Sequence, residues 1–296
     1  MELMVAMAIT TIIVTVLVSV TSIAVETWNR SRSELRASRM GKMMLDYMAR
    51  DFESLVARRG NSSEWLSVID APVSGSSSLD SSSASRLVFF TAATDRYDGN
   101  VGIPKLDGGG DVCCVAYLLD YKRPIIVGSS DFRTFVFNRK LVDPDKTFTQ
   151  LLGESSASKS LDSVFTGIYP VENISNAGNY ICENIYQFST SFLVQVTDAS
   201  TTPPVTRNVR VPMGGSGAKS FRVLGTGILT DYSGQDKDLV PSGRLMAVEI
   251  STTVLTDFAM DQIQAGRRAF STDKAKSDFL AKYSYNFTKT IQLSTL

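Results

Sequence analysis

Three stretches of this chain hold residues whose types and spacing could do chemistry. "DRYDGNVGIPKLDGGGD" sets Asp95, Asp98, Asp107 and Asp111 among glycines, a supply of the hard oxygen ligands that calcium takes. Their spacing matches no EF-hand, so the plain reading is a solvated loop, and a loop-stabilising calcium is the one cofactor the sequence raises. Cys113 and Cys114 are adjacent and Cys182 stands apart, with no C-x-x-C spacing for a redox pair or a zinc knuckle. Vicinal residues on a strand project to opposite faces, so at most one of the pair can reach Cys182. In an oxidising compartment the expected bridge is Cys114 to Cys182; otherwise all three are buried thiols. "GGSGAKS", Gly214 to Ser220, has the outline of a phosphate loop. Ala218 occupies the place of the required glycine, and "FRVLG" after it reads as strand where such a loop must open a helix. A hairpin loop is the expectation.

What is missing narrows the chemistry further. The 296 residues include no histidine, which removes the commonest general base at neutral pH and the commonest nitrogen ligand for zinc. There is no Gly-x-Ser-x-Gly elbow, and an enzyme is not expected. Thirty basic and thirty acidic side chains cancel, so nothing electrostatic argues for nucleic acid. With 43% apolar residues the chain can bury a substantial core.

One more carboxylate calls for an explanation. Glu2 stands at the mouth of "LMVAMAITTIIVTVLVSVTSIAV", a run from Leu3 to Val25 without a charge. A carboxylate entering hydrocarbon costs up to a few kcal/mol unless it is paired or held at the interface. As a helix the run measures roughly 35 Å, enough to cross the ~30 Å apolar layer of a bilayer. The basic start, short apolar core and small-residue cut site of a secretory signal are absent. Leu3, Val5, Ile9, Ile12, Ile13, Val16, Leu17 and Val20 are therefore read as a retained membrane anchor.

The helical pattern does not stop at Trp28. Leu45, Met48, Phe52 and Leu55 recur on one face, while Lys42, Asp46, Arg50, Glu53 and Arg58 take the other. That stripe lasts two heptads, too short for a coiled coil, and is expected to dock on a sheet. "SGSSSLDSSSAS" follows, a serine-rich linker. Beyond it come β-branched and aromatic runs: "RLVFF", "VCCVAYLL", "RTFVFNR", "IYQFSTSFLVQV", "RNVRV", "FRVLG" and "LMAVEISTTVL". Period-two alternation, as in "TFVFN", suggests antiparallel strands with one face wet. Short helices are expected within 256–269 and 274–283, with a last strand near 287–293. The predicted fold class is α+β: an anchor over 1–28, an amphipathic docking helix over 29–60, a linker over 61–85 and an antiparallel β-rich domain over 86–296.

"ELMVAMAITTIIV", with its leading glutamate and its continuation into an amphipathic helix, resembles the N-terminal segment of type IV pilins and of the pseudopilins of type II secretion. "MMLDYMARDFESLVARR" is similar to the helix of J-type minor pseudopilins, and "VPSGRLMAVEISTTVLTD" to a late strand of that group. The β-rich domain also resembles pilin-like proteins of Verrucomicrobia. In this family a prepilin peptidase cuts after a glycine that closes a basic leader, and methylates the new N-terminus. The resemblance implies a minor pilin-like subunit, single-pass in the bacterial inner membrane with a periplasmic domain, whose partners are other pilin-like subunits in a filament. There Glu2 would neutralise the terminal ammonium of a neighbouring subunit and set axial register.

Arg30, Arg32, Arg36, Arg39 and Lys42 all lie on the C-terminal side of the anchor, and the positive-inside rule alone would leave the domain in the cytoplasm. Both facts agree if translation starts upstream, with a Lys/Arg cluster, a Gly and three residues resembling Phe-Thr-Leu before Met1. The reading from another class is a membrane-anchored periplasmic sensor or ligand-binding domain, which needs the helix and the sheet but not Glu2.

Overall fold

The computed structural model describes residues 2–76, 79–92, 112–124, 132–264, 270 and 272–293. The fold is α+β. Helix α1 (Glu2–Glu53) runs unbroken through both the apolar and the amphipathic halves. No proline interrupts it, and its one glycine, Gly41, is required by a close approach. A Cβ there would sit 2.5 Å from a ring carbon of Phe287, so the missing side chain lets that ring lie against the helix. Past Glu53 the chain unwinds and is tied to the sheet at once: the Val56 amide donates to the Phe90 carbonyl at 2.9 Å, and the Ala92 amide to the Ser54 carbonyl at 2.9 Å.

Thirteen strands follow among the described residues: β1 (Glu64–Asp70), β2 (Val73–Ser76), β3 (Leu79–Ser81), β4 (Ser85–Thr91), β5 (Cys113–Lys122), β6 (Thr134–Val142), β7 (Tyr180–Glu183), β8 (Ile185–Asp198), β9 (Val205–Pro212), β10 (Ser220–Leu224), β11 (Gly227–Thr230), β12 (Arg244–Leu255) and β13 (Ser284–Gln292). Helices α2 (Pro144–Gln150), α3 (Leu161–Ile168) and α4 (Val171–Ile174) lie between β6 and β7, and α5 (Asp257–Gln264) and α6 (Asp273–Tyr283) between β12 and β13. One sheet has seven strands in the order β11-β10-β1-β4-β5-β6-β7; a second has four, β13-β12-β8-β9; β2 and β3 form a small hairpin. Every ladder is antiparallel.

The large sheet is covered on both faces. Toward one side Phe89, Val115, Tyr117, Phe135 and Phe137 join α1 and the four-stranded sheet in the main core. Toward the other Val88, Phe90, Cys114 and Ala116 pack with Leu161, Val164 and Phe165 of α3 and with Ile174 of α4. "TFVFN" is accordingly buried at every position, not wet on alternate ones, which is what a sheet sandwiched between two layers requires. The three helices of the second layer were not anticipated.

The boundary of the β-rich part differs from the sequence reading. The stretch 61–85 is not a linker: it contains β1, fully buried from Trp65 to Val68 and paired on both sides, with β10 and β4. The described serines of the serine-rich run follow β1, from the β2–β3 hairpin to the start of β4. "EWLSVID" supplies enough apolar surface for a central strand, but it is short and flanked by polar residues, so its neighbours dominated the pattern. The docking helix also ends at Glu53, short of residue 60.

Candidate functional site

The amphipathic half of α1 buries Ala37, Met44, Leu45, Met48, Ala49 and Phe52, an i, i+7, i+8, i+11, i+12, i+15 stripe facing the main core. Leu55, just past the helix, is also buried and bridges to Thr91. Phe52 stacks on Phe89 with centroids 4.4 Å apart, and the ladder continues through Tyr117 to Phe137. All four residues expected to dock on the sheet thus lie in the core.

Amid this apolar face sits a buried charge that the sequence reading passed over. Asp51 is 2% exposed and Arg139, on β6, also 2%. Arg139 Nε donates to Asp51 Oδ2 at 2.7 Å and Nη2 to Oδ1 at 2.8 Å, a bidentate pair. Tyr117 of β5 donates its hydroxyl to Oδ2 at 2.5 Å, and Thr91 of β4 donates to the Asp51 carbonyl at 2.9 Å. Burial, and after it the Asp51 charge, hold the Tyr117 phenol well above its ordinary pKa, so it stays a donor. A signal was available in the sequence: Met44, Met48, Asp51 and Leu55 share one helical face, and an acid on an apolar stripe needs a partner.

Farther up α1 the contacts become polar and exposed. Lys289 of β13 donates to Asp46 at 2.9 Å. Arg36 reaches Glu183 at 2.6 Å and Asp257 at 2.8 Å, joining the helix to the ends of β7 and α5. Asp51, the Gly41–Phe287 contact and Arg36 together fix both the rotation of α1 and its axial position on the domain.

Toward the N-terminus from Arg36 the helix leaves the core. Ile9, Ile12, Ile13, Val16, Leu17 and Val20 are all exposed, as is every described side chain from Ala6 to Arg32. This is a helix long and apolar enough to cross a membrane, with an 18-residue window of mean hydropathy 2.3, none of it buried in the fold. Five of its hydroxyls are satisfied within it: Thr10, Thr11, Thr15, Ser19 and Thr21 each donate to the carbonyl four residues back, at 2.8 to 2.9 Å. That arrangement leaves none of these five hydroxyl protons seeking water in hydrocarbon. The side chains of Glu2, Leu3 and Val5 lie outside the described residues.

The expected disulfide is not made. Cys114 is buried among α3 and α4 on one face of the large sheet, whereas Cys182 belongs to the main core on the other. Strand β6 also separates them, putting β5 and β7 roughly 10 Å apart. Cys114 pairs with Val142 but Cys182 with Phe137, a further offset of roughly 16 Å along the strand. No side-chain motion closes that gap. Both are thiols, their pKa values pushed up by burial.

Asp95, Asp98, Asp107 and Asp111 lie outside the described residues, and among the described ones no three His, Cys, Asp or Glu side chains are grouped to hold a metal ion. The glycine-rich segment before Ser220 is a crossover between sheets, from β9 to β10, and not a hairpin. Gly214 and Gly215 take positive φ there, and Lys219 enters a strand, so no helix N-terminus faces an anion. A polar cleft of about 440 Å³ opens at the far end of the domain, where Arg58 and Arg59 face Gln195, Thr197 and Arg244. No family model, no curated protein and no solved structure matches the chain.

Proposed function

We propose that the chain is a minor pilin-like subunit of a type IV pilus or type II secretion pseudopilus, acting by anchoring and assembly and not by catalysis. Helix α1 would hold it in the bacterial inner membrane with the domain in the periplasm, and on assembly would pack against the same helix of neighbouring subunits. The observation that carries this reading is one continuous helix with two solvents: an all-round apolar half projecting free of the domain, and a second half fixed in the core. Such a rod transmits the position of the apolar half to the domain without a hinge. In a filament Glu2 would neutralise a neighbour's N-terminal ammonium, which makes a carboxylate beside hydrocarbon tolerable. Glu2→Gln in the native host tests this. A filament subunit should be lost from sheared filaments while still accumulating in the membrane; undiminished assembly overturns the reading.

A second reading is favoured by the cleft near Arg58 and Arg244, a concavity in which several cationic and amide side chains converge. A membrane-anchored sensor built this way has no use for Glu2 and should tolerate the same substitution.

A further inference from the structure

Where α1 leaves the domain, a cleft of about 530 Å³ lies between the helix and the edge of the fold. The helix contributes Val25, Glu26 and Arg30; the domain contributes Phe258 from α5, Lys282 and Tyr283 from the end of α6, and Tyr285 from β13. Val25 is the last residue of the uncharged run and Glu26 the first charge after it. The cleft therefore straddles the level at which hydrocarbon would give way to headgroups. Arg30 stands roughly 7.5 Å beyond Val25 along the helix, at the outer edge of the headgroup layer that adds about 5 to 7.5 Å on each side of the apolar core.

The lining has the chemistry of that layer. Phe258 is half exposed and packs on Tyr283 with centroids 5.2 Å apart, while Trp28 on the helix is 70% exposed. Aromatic side chains of this kind settle at membrane interfaces. Lys282 holds its ammonium 5.2 Å from the Tyr283 ring centroid, and neither it nor Arg30 forms an ion pair with a described residue. Two cations, Arg30 and Lys282, face the carboxylate of Glu26 in the lining, with Glu34 beside Tyr285 at its far edge, and Glu26 can accept from headgroup hydroxyls. Because α1 is fixed to the domain by Asp51 and Arg36, the two walls keep their spacing.

We propose that this cleft seats the headgroup of one anionic phospholipid of the bilayer that holds α1, with Arg30 and Lys282 on the phosphate and Phe258 and Tyr283 against the upper acyl chain. The proposal rests on α1 being a membrane anchor, and its test separates the two. Full-length protein is placed in vesicles of phosphatidylcholine with one-fifth phosphatidylglycerol, washed with carbonate, extracted in mild detergent, and its co-purified lipid measured by mass spectrometry. The ratio of retained phosphatidylglycerol to phosphatidylcholine should exceed that of the vesicles by roughly fivefold, about the effect of one basic side chain at an anionic surface. Arg30→Ala with Lys282→Ala should bring the ratio down to the vesicle composition. Arg39→Ala with Lys237→Ala removes the same charge away from the cleft and should leave the enrichment intact. No enrichment in the wild type, or equal loss in both double variants, overturns the headgroup site while α1 stays a membrane anchor. Release of the protein by carbonate overturns the anchor, and the headgroup site with it.

Discussion

Arg139 on the sheet grips Asp51 on the N-terminal helix through two hydrogen bonds of 2.7 and 2.8 Å in a site that water does not reach. The two residues are 88 positions apart. Their pairing converts a greasy helix-on-sheet contact, which could slide or rotate by a turn, into one with a single register. Buried ion pairs add little net stability over apolar residues, but removing one partner strands the other, and specificity is their best-attested use.

Asp51→Ala should therefore cost about 3 to 5 kcal/mol, since it strands the Arg139 guanidinium without its carboxylate. Tyr117→Phe removes one hydrogen bond to a charged group and should cost about 1.5 to 3 kcal/mol. Asp51→Leu combined with Arg139→Met should lose much less than the sum of the two single changes. Denaturant unfolding of the full chain in detergent measures each single variant and the double. Additive losses would show that the pair is not a coupled unit.

Gly41→Ala replaces a poor helix former with the best one, a gain of about 1 kcal/mol by propensity. Against that, the new methyl would lie 2.5 and 2.8 Å from two ring carbons of Phe287. The clash should win, giving a net loss of about 1 to 3 kcal/mol as in other overpacked sites. Adding Phe287→Leu should recover part of it. A more stable single variant would mean that the ring moves aside freely.

Burial raises the pKa values of Cys114, Cys182 and Tyr117 above those of the unfolded chain. A group raised in this way favours the fold fully below its unfolded pKa, and that contribution is lost as pH climbs from there through the folded value. Stability should accordingly fall from about pH 8.5 upward, where unfolded thiols begin to ionise, and again near pH 10 as unfolded tyrosine does. Alkylation without reductant should leave Cys114 and Cys182 unmodified in the native protein and modify both in denaturant. A pair that stays blocked in denaturant would restore the disulfide.

The sequence made α1 and its two solvents legible, because hydropathy that is all-round in one half and striped in the other survives without tertiary context. The positions of Leu45, Met48 and Phe52 followed from spacing alone, and so did most long strands. Strand β1 was hidden because "EWLSVID" is brief and serines outnumber its apolar residues nearby. Whether "TFVFN" would be covered on one face or both depended on α2 to α4, whose short amphipathic turns give weak periodicity. Cys114 was expected on the face of Cys182 and lies on the other, because the face each takes is set by register across β6 and the distance between them by strand order, neither of which is local. Asp51 carried a local signal, an acid on the apolar stripe of Met44, Met48 and Leu55, but Arg139 did not, since a partner brought in by folding from another strand has no local signature.

A truncated chain beginning at Asn29 should be soluble and monomeric, because it loses the exposed apolar half of α1 and keeps Ala37 to Leu55 in the core. Full-length protein should require detergent. Gel filtration with light scattering distinguishes the outcomes. Aggregation of the truncated domain would mean that docking of α1 depends on the segment removed.

Contact between copies through α1 is the centre of this account, and it is measured directly by crosslinking in native membranes. Ile12→Cys and Leu17→Cys each place a thiol on the exposed apolar helix, while Cys114 and Cys182 are buried in the domain. Oxidation should give a ladder extending past the dimer when both substitutions are present, as a head-to-tail assembly requires and a closed pair does not. Adding Glu2→Gln should collapse that ladder to monomer. Monomer without Glu2→Gln, or an unchanged ladder with it, would contradict the reading of this protein as a filament subunit.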